Sequence, residues 1–231
     1  MAKICYDLHV HSCLSPCGDG LMSPNNILNM GMIKGLDYMA VCDHNCTLQQ
    51  PVLDEVAKTI GMKILYGIEA ESKEEVHVLG IFNNLKDNQD FGKYVDDHLP
   101  AIPNDENYFG KQEIKDKQDE TIATYPKLLL QSLDIGIDEL IRMIHQYHGK
   151  AILAHIYDKA NSITHQLGFI PPSLDYDGVE VKNDEQAKRY HDEYGKDVPI
   201  FIDSDAHYLT DISEAVNEME EKDFKEFFGL W

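Results

Sequence analysis

The chain has 231 residues, enough for one domain with a sizeable core, and its 43% hydrophobic and 26% charged content is that of a water-soluble globular protein. With 41 acidic against 20 basic side chains the formal net charge is −21, which argues against duplex nucleic acid as a partner, because such binding rests on Lys and Arg neutralising phosphates. No segment approaches the ~20 apolar residues of a membrane span, and the first residues lack the apolar core of a signal peptide, so no membrane partner and a cytoplasmic location are expected.

Ile4, Tyr6 and Leu8 alternate with polar positions, the period-2 mark of an extended segment, which ends in His9-Val10-His11. Two histidines two apart share one side of a strand and can grip one metal ion, although a lone pair of this kind is a weak signal. Ser12–Gly20 is a loop rich in turn formers. Ser23-Pro24 then reads as an N-cap followed by proline at the first helical position, and that helix ends near Gly35. Tyr38–Cys42 is a short apolar strand delivering Asp43-His44-Asn45. Pro51 opens a helix through Ile60, closed by Gly61. Lys63–Ile68 is the next strand, ending in Glu69-Ala70-Glu71, and Glu75–Phe82 is apolar at nearly every position apart from His77.

Residues 83–133 are polar, Leu99–Pro103 breaks any regular element, and Ile114–Ile122 reads as a hairpin. This stretch is expected to be an insertion or lid within a single domain spanning 1–231. Beyond it, Ile137, Leu140, Ile141 and Ile144 have helical spacing in a segment that stops at Gly149. Ala151–Ala154 is a strand ending on His155, and Gly178–Val181 is another, followed by a helix over Asp184–Tyr194. Val198–Ile202 is the last strand and runs into Asp203-Ser204-Asp205-Ala206-His207, before a closing helix over Glu214–Phe227. About six or seven strand–helix units with short apolar strands predict a parallel sheet covered by helices and closed into a barrel.

The metal-competent residues follow this pattern. His9, His11, Asp19, His44, Glu69, His155, Asp205 and His207 fall at or just after the ends of predicted strands, and His77 lies within one. In a parallel β/α barrel those ends converge on one rim, where such enzymes keep their chemistry. Any one of these residues alone is more often simply solvated or hydrogen-bonded. Gathered on one rim, they would be costly to bury without a cation.

Four motifs, Asp7-Leu8-His9-Val10-His11-Ser12, Asp43-His44-Asn45, Ala154-His155 and Ser204-Asp205-Ala206-His207, stand in order with Gly67-Ile68-Glu69 and His77 between the second and third. In this the sequence resembles the PHP (polymerase and histidinol phosphatase) family of metal-dependent phosphoesterases, over nearly all the chain except its middle. The resemblance implies an α/β fold of the distorted seven-stranded β/α (TIM-like) barrel type with two or three divalent ions at its rim. It places His9, His11, Asp205 and a bridging Glu69 on one ion, Glu69, His77 and His155 on a second, and Asp19, His44 and His207 on a third. Asp19 follows the H-x-H at a greater distance than in many relatives, and Ile156 stands where proline is common. Mixed imidazole and carboxylate donors suit Zn, Mn or Fe. The implied activity is hydrolysis of a small phosphorylated metabolite or nucleotide by a metal-bridging hydroxide, with Asp205 and His207 as catalytic residues.

Two other readings stand beside it. An amidohydrolase-like hydrolase also begins with H-x-H, but usually bridges its metals with a lysine, for which no strand end here offers a match. A catalytically silent metal-binding accessory domain is the non-enzymatic alternative. Asp7 and Asp43 are candidates to orient His9 and His44, and Lys159, Asn161 and Lys182 to touch a phosphate. Five scattered cysteines suit reduced thiols, and Cys13, Cys17, Cys42 and Cys46 lack the C-x-x-C spacing usual for structural zinc.

Overall fold

In the computed structural model, which describes residues 2–230, the strand β1 (Lys3–Val10) is the seam of an eight-stranded sheet. It is followed by α1 (Pro24–Lys34), β2 (Tyr38–Val41), α2 (Gln50–Ile60), β3 (Lys63–Glu71), β4 (His77–Phe82) and α3 (Leu85–His98). A short helix α4 (Glu106–Phe109) and a hairpin of β5 (Glu113–Lys115) and β6 (Thr121–Thr124) lead into α5 (Ile137–Gln146), β7 (Lys150–Leu153) and α6 (Ile163–Leu167). The chain ends through β8 (Gly178–Glu180), α7 (Asp184–Tyr194), β9 (Ile200–Phe201), β10 (Glu218–Glu220) and α8 (Glu221–Phe228).

The sheet runs in the order β10-β1-β2-β3-β4-β7-β8-β9. Past β9 the chain returns to β1: His11 donates its peptide N–H to Ala206 O at 2.9 Å and Ala206 donates to His9 O at 3.2 Å. This contact brings the two ends of the curl together, so seven strands form a distorted TIM-like barrel with β10 added outside it.

The sheet is parallel except at two strands. β4 is antiparallel to both β3 and β7, because residues 72–76 form a tight turn, closed by Ser72 N–H to Val76 O at 2.9 Å, too short for a parallel crossover. The second exception lies inside the expected closing helix. Residues 218–220 instead pair antiparallel with Lys3–Cys5, and α8 begins only at Glu221. Among the described residues the first half of β1 has no other strand on that edge, and β10 pairs with its backbone groups.

Within residues 83–133, α3 packs on β3 and β4 through Asn88, Phe91, Gly92 and Val95, a thin stripe at helical spacing amid charge. The remainder crosses the rim and returns. Its hairpin is tied down by Glu113 N–H to Cys13 O at 3.0 Å and by the Gln49 carboxamide, which joins Lys115 N and O at 2.9 and 3.0 Å.

The barrel interior is filled by Ile4, Tyr6, Leu8, Ala40, Leu65, Leu79, Ile81, Ile152 and Phe201, and α8 closes its lower end with Phe224 and Phe228. Outward-facing Met39, Val41, Ile68 and Val78 pack instead under the helices. This alternation decides which residues reach the rim's centre. Cys42, Leu65 and Leu79 face inward, so His44, Glu69 and His77, two or four residues along, do so too. On β1 the inward set is Ile4, Tyr6 and Leu8, which would point His9 and His11 outward. A register irregularity between Asp7 and Val10 reverses the alternation, placing Val10 outside and both histidines within.

Candidate metal centre

Glu69 lies on the inward face of β3, near its end, and its carboxylate is the hub of the rim. Five imidazole nitrogens converge on it: His77 Nδ1 at 2.7 Å, His44 Nδ1 at 3.0 Å, His155 Nε2 at 3.1 Å, His11 Nε2 at 3.3 Å and His9 Nε2 at 3.4 Å. Asp205 Oδ1 adds contacts at 3.2 Å to His11 and 3.5 Å to His9. His77 joins the cluster because β4 is antiparallel. It is the first residue of its strand and lies opposite Glu71 near the end of β3.

Two ligand positions depend on unusual backbone. His155 and Asp205 have φ of 30° and 51°, and Asn45, which follows His44, has 46°. Non-glycine residues seldom adopt these angles, and such strain concentrates where function fixes a side chain. Here it turns side chains inward where the chain leaves β7 and β9.

The imidazoles are oriented by partners behind them. Buried Glu180 accepts from His9 Nδ1 at 2.9 Å and from His155 N–H at 3.2 Å, so His9 presents Nε2 to the cluster. Ser15 Oγ donates to Asp43 at 2.8 Å and so accepts from His11 Nδ1 at 3.1 Å, which turns His11 Nε2 inward. The same oxygen accepts His44 N–H at 3.1 Å. Asp43 therefore acts on His11 through Ser15 instead of gripping the His44 ring. Asp7 likewise does not hold the His9 ring but accepts backbone N–H groups, from Ser213 at 2.8 Å and Ser204 at 3.1 Å, bracing the loop that carries Asp205.

This donor set fits multivalent cations better than protons. A carboxylate has about four lone-pair sites, and five rings crowd this one. His9 Nε2 and His11 Nε2 face each other at 3.1 Å with both Nδ1 positions already committed. Three groups of donors lie close enough to hold an ion: His9, His11 and Asp205; His44, Glu69 and His77; and His11, His44 and His207. Burial alone would lower the His9 and His77 imidazoles, but the carboxylates around them prevail, holding His9 well above its ordinary pKa and His77 at about 10. Burial would raise Glu69 and Asp205, yet the surrounding imidazoles hold both below the carboxylate range. His207 is the exception, lowered by burial and by His11.

Of the nine residues singled out from the sequence, eight meet here. Asp19 stands at the edge: its N–H donates to His207 O at 2.9 Å, while its carboxylate accepts Leu21 N–H at 2.9 Å and enters none of the three groups. All five cysteines are free, and none enters a donor group among the described residues. A cavity of about 620 Å³ opens onto the cluster, lined by Glu71, Gln131, Ser132, Lys159 and Asn161 among others. Lys159 Nζ lies 3.1 Å from Asp205 Oδ2, while Lys182 lines a smaller recess behind. The sequence reading gave no role to Glu180. Its signal was a lone acid in the apolar run Gly178–Val181, because a buried carboxylate needs a partner.

Known proteins share part of this sequence and this fold. A 5′-3′ exoribonuclease of Haemophilus influenzae is 30% identical over 79 residues, 33% of this chain and 28% of that protein. The lesion-specific endonuclease PfuEndoQ of Pyrococcus furiosus superposes with TM-score 0.67 at 20% identity, covering 100% of this chain and 57% of the endonuclease. A protein of Bifidobacterium adolescentis assigned as a metal-dependent phosphoesterase superposes with TM-score 0.65 at 17% identity, covering 97% and 96% of the two chains. The chain thus spans little more than half of the endonuclease, and its match covers under a third of the exoribonuclease.

The expectation of no duplex nucleic acid needs correction. Endonuclease Q, in complex with a 27-mer duplex carrying an abasic lesion, shares this fold at TM-score 0.60 and 19% identity, covering 90% of this chain and 50% of that one. Net charge sums the whole surface, whereas a phosphate meets only the local field at the rim, where any bound cation would dominate. An acidic composition is therefore no ground for excluding such a partner. Among the described residues no helix is long and apolar enough to cross a membrane. The PHP domain profile matches residues 7–197, most of the chain, and this shows that the chain belongs to the PHP domain family.

Proposed function

We propose that this chain hydrolyses a phosphoester of a small phosphorylated metabolite or nucleotide, using two or three divalent ions held by His9, His11, His44, Glu69, His77, His155, Asp205 and His207. The observation that carries the reading is the convergence of five imidazoles on the Glu69 carboxylate, between 2.7 and 3.4 Å. Imidazole and carboxylate donors together suit Zn, Mn or Fe. When bound, such ions supply Lewis-acid activation of water and offset the charge on the phosphoryl oxygens.

The chain's own groups do the rest. Glu180 and Ser15 keep His9 and His11 in the tautomer that offers Nε2 inward. Lys159, beside Asp205, presents an ammonium at the cavity wall where a phosphoryl oxygen would lie. Asp205 and His207 border the same space, which supports giving them contact with the reacting phosphate. About 620 Å³ is the size of a small-ligand site and suits a group such as one nucleotide. The exoribonuclease match supports including nucleotide and RNA-end substrates.

The test is a screen with Mn²⁺ over mononucleotides, sugar phosphates and 5′-phosphorylated oligonucleotides, scored separately for phosphate release and diester cleavage. Turnover abolished by chelator is expected. Metal-loaded protein inert on every phosphoester but active on amides or lactones would overturn the assignment.

A further inference from the structure

Glu71 is buried two residues beyond Glu69 on the same face of β3. One carboxylate oxygen lies 3.2 Å from His77 Nε2, and the other accepts the Ser132 hydroxyl at 2.6 Å. His77 turns its opposite nitrogen, Nδ1, to Glu69 at 2.7 Å. Glu71 therefore fixes the proton of His77 on Nε2 and leaves the Nδ1 lone pair for the centre of the cluster.

Ser132 does not belong to the barrel. It lies on the arm by which the 99–133 excursion returns, and that arm is fastened to the rim at several points. Leu133 N–H donates to Glu71 O at 2.9 Å. Asn45, the residue after His44, donates its amide to Leu129 O and Gln131 O, each at 2.9 Å, and accepts Glu71 N–H at 3.0 Å. Leu130, Gln131 and Ser132 meanwhile wall the cavity. The arm lining the cavity is thus hydrogen-bonded to Glu71, which meets His77, and to Asn45, which follows His44.

We infer that Glu71 is a positioning residue for His77 and that Ser132 holds Glu71 in place, so that the cavity wall contributed by the excursion also sets the affinity of the His44–Glu69–His77 ion site. This rests on the reading of the rim as a cation cluster. It makes segment 129–133 a determinant of metal loading as well as of substrate fit.

The experiment is competition for Co²⁺ against a chromophoric chelator, read with the visible Co²⁺ spectrum, on the wild type, Glu71→Gln, Ser132→Ala and the control Glu75→Gln. Glu75 lines the same cavity and accepts from the Gln166 amide at 3.3 Å, with no hydrogen bond to His77 among the described residues. Glu71→Gln should weaken one cation equivalent by about 10–100-fold and alter the spectrum, as is usual when a ligand histidine loses its carboxylate partner. Ser132→Ala should weaken the same equivalent several-fold, and Glu75→Gln should match the wild type. Should Glu71→Gln fail to fold, Ser132→Ala carries the test. Wild-type affinity and spectrum in both Glu71→Gln and Ser132→Ala would overturn the inference. A wild type that binds no Co²⁺ would instead refute the cluster itself.

Discussion

His9 Nδ1 and Glu180 Oε2 meet at 2.9 Å with both side chains buried, joining the first strand of the barrel to β8. The contact sets the tautomer of His9 across 171 positions of sequence. Glu180→Gln should therefore weaken cation binding by about 10–100-fold, with a smaller change in fold stability. Isothermal titration with Mn²⁺, compared with a denaturant melt in chelator, separates the two effects.

The aromatic plug is independent of the rim. Phe224 is fully buried against Tyr6 and Tyr38, with ring centroids 5.9 and 4.8 Å away. Phe224→Ala should cost about 3–5 kcal/mol of unfolding free energy. Ion stoichiometry should stay unchanged in the fraction that remains folded, because the plug lies at the opposite end of the barrel.

Gly67 tests the strand spacing beneath the cluster. A Cβ there would run into Cys42 Sγ and the Val41 carbonyl on the adjacent strand. Gly67→Ala should destabilise by about 1–3 kcal/mol through overpacking, read as a lower denaturant midpoint at an unchanged slope.

Acid should loosen the excursion before it unfolds the barrel. Asp96 on α3 accepts from Lys127 Nζ at 2.8 Å and from the Tyr125 hydroxyl, anchoring the return arm. Burial opposes the charged form, but these two partners prevail and hold its pKa below the usual 3.8. A depressed folded-state pKa means that the stabilisation is present above pH 3.8 and is lost as pH falls through the lower folded value. Asp96 is half-exposed, so solvent screening limits the effect to under about 1 kcal/mol. Hydrogen exchange over 121–128 should quicken below pH 3.8 in the wild type, and Asp96→Asn should show that faster exchange already at neutral pH.

Much of this was legible in the chain itself. Alternating apolar strands and helices gave the barrel, and chemistry-bearing residues at strand ends gave the rim. Three features were not. The reversal of β4 depends on a turn of five residues, and an apolar run reads alike in either direction. The irregularity in β1 leaves no mark in composition, yet without it His9 and His11 would face away from Glu69. β10 was hidden in Glu218-Met219-Glu220, whose charges suit an exposed helix as well as an edge strand, and tertiary pairing with β1 decided between them. Glu71 and Glu180 were visible as residues, but their roles depend on partners brought near only by folding.

Glu69 is the group on which the proposed cluster of divalent ions depends. The most direct measurement is the metal content of purified, metal-replete protein by elemental analysis, with Glu69→Ala beside the wild type and chelator-sensitive phosphoester hydrolysis read on the same samples. The wild type should hold two to three ions per chain, and Glu69→Ala should lose at least one, with a fall in hydrolysis of at least about a hundredfold, as expected when a group that organises the reacting centre is removed. A wild type without stoichiometric metal, or a Glu69→Ala protein with a full complement and undiminished hydrolysis, would contradict it.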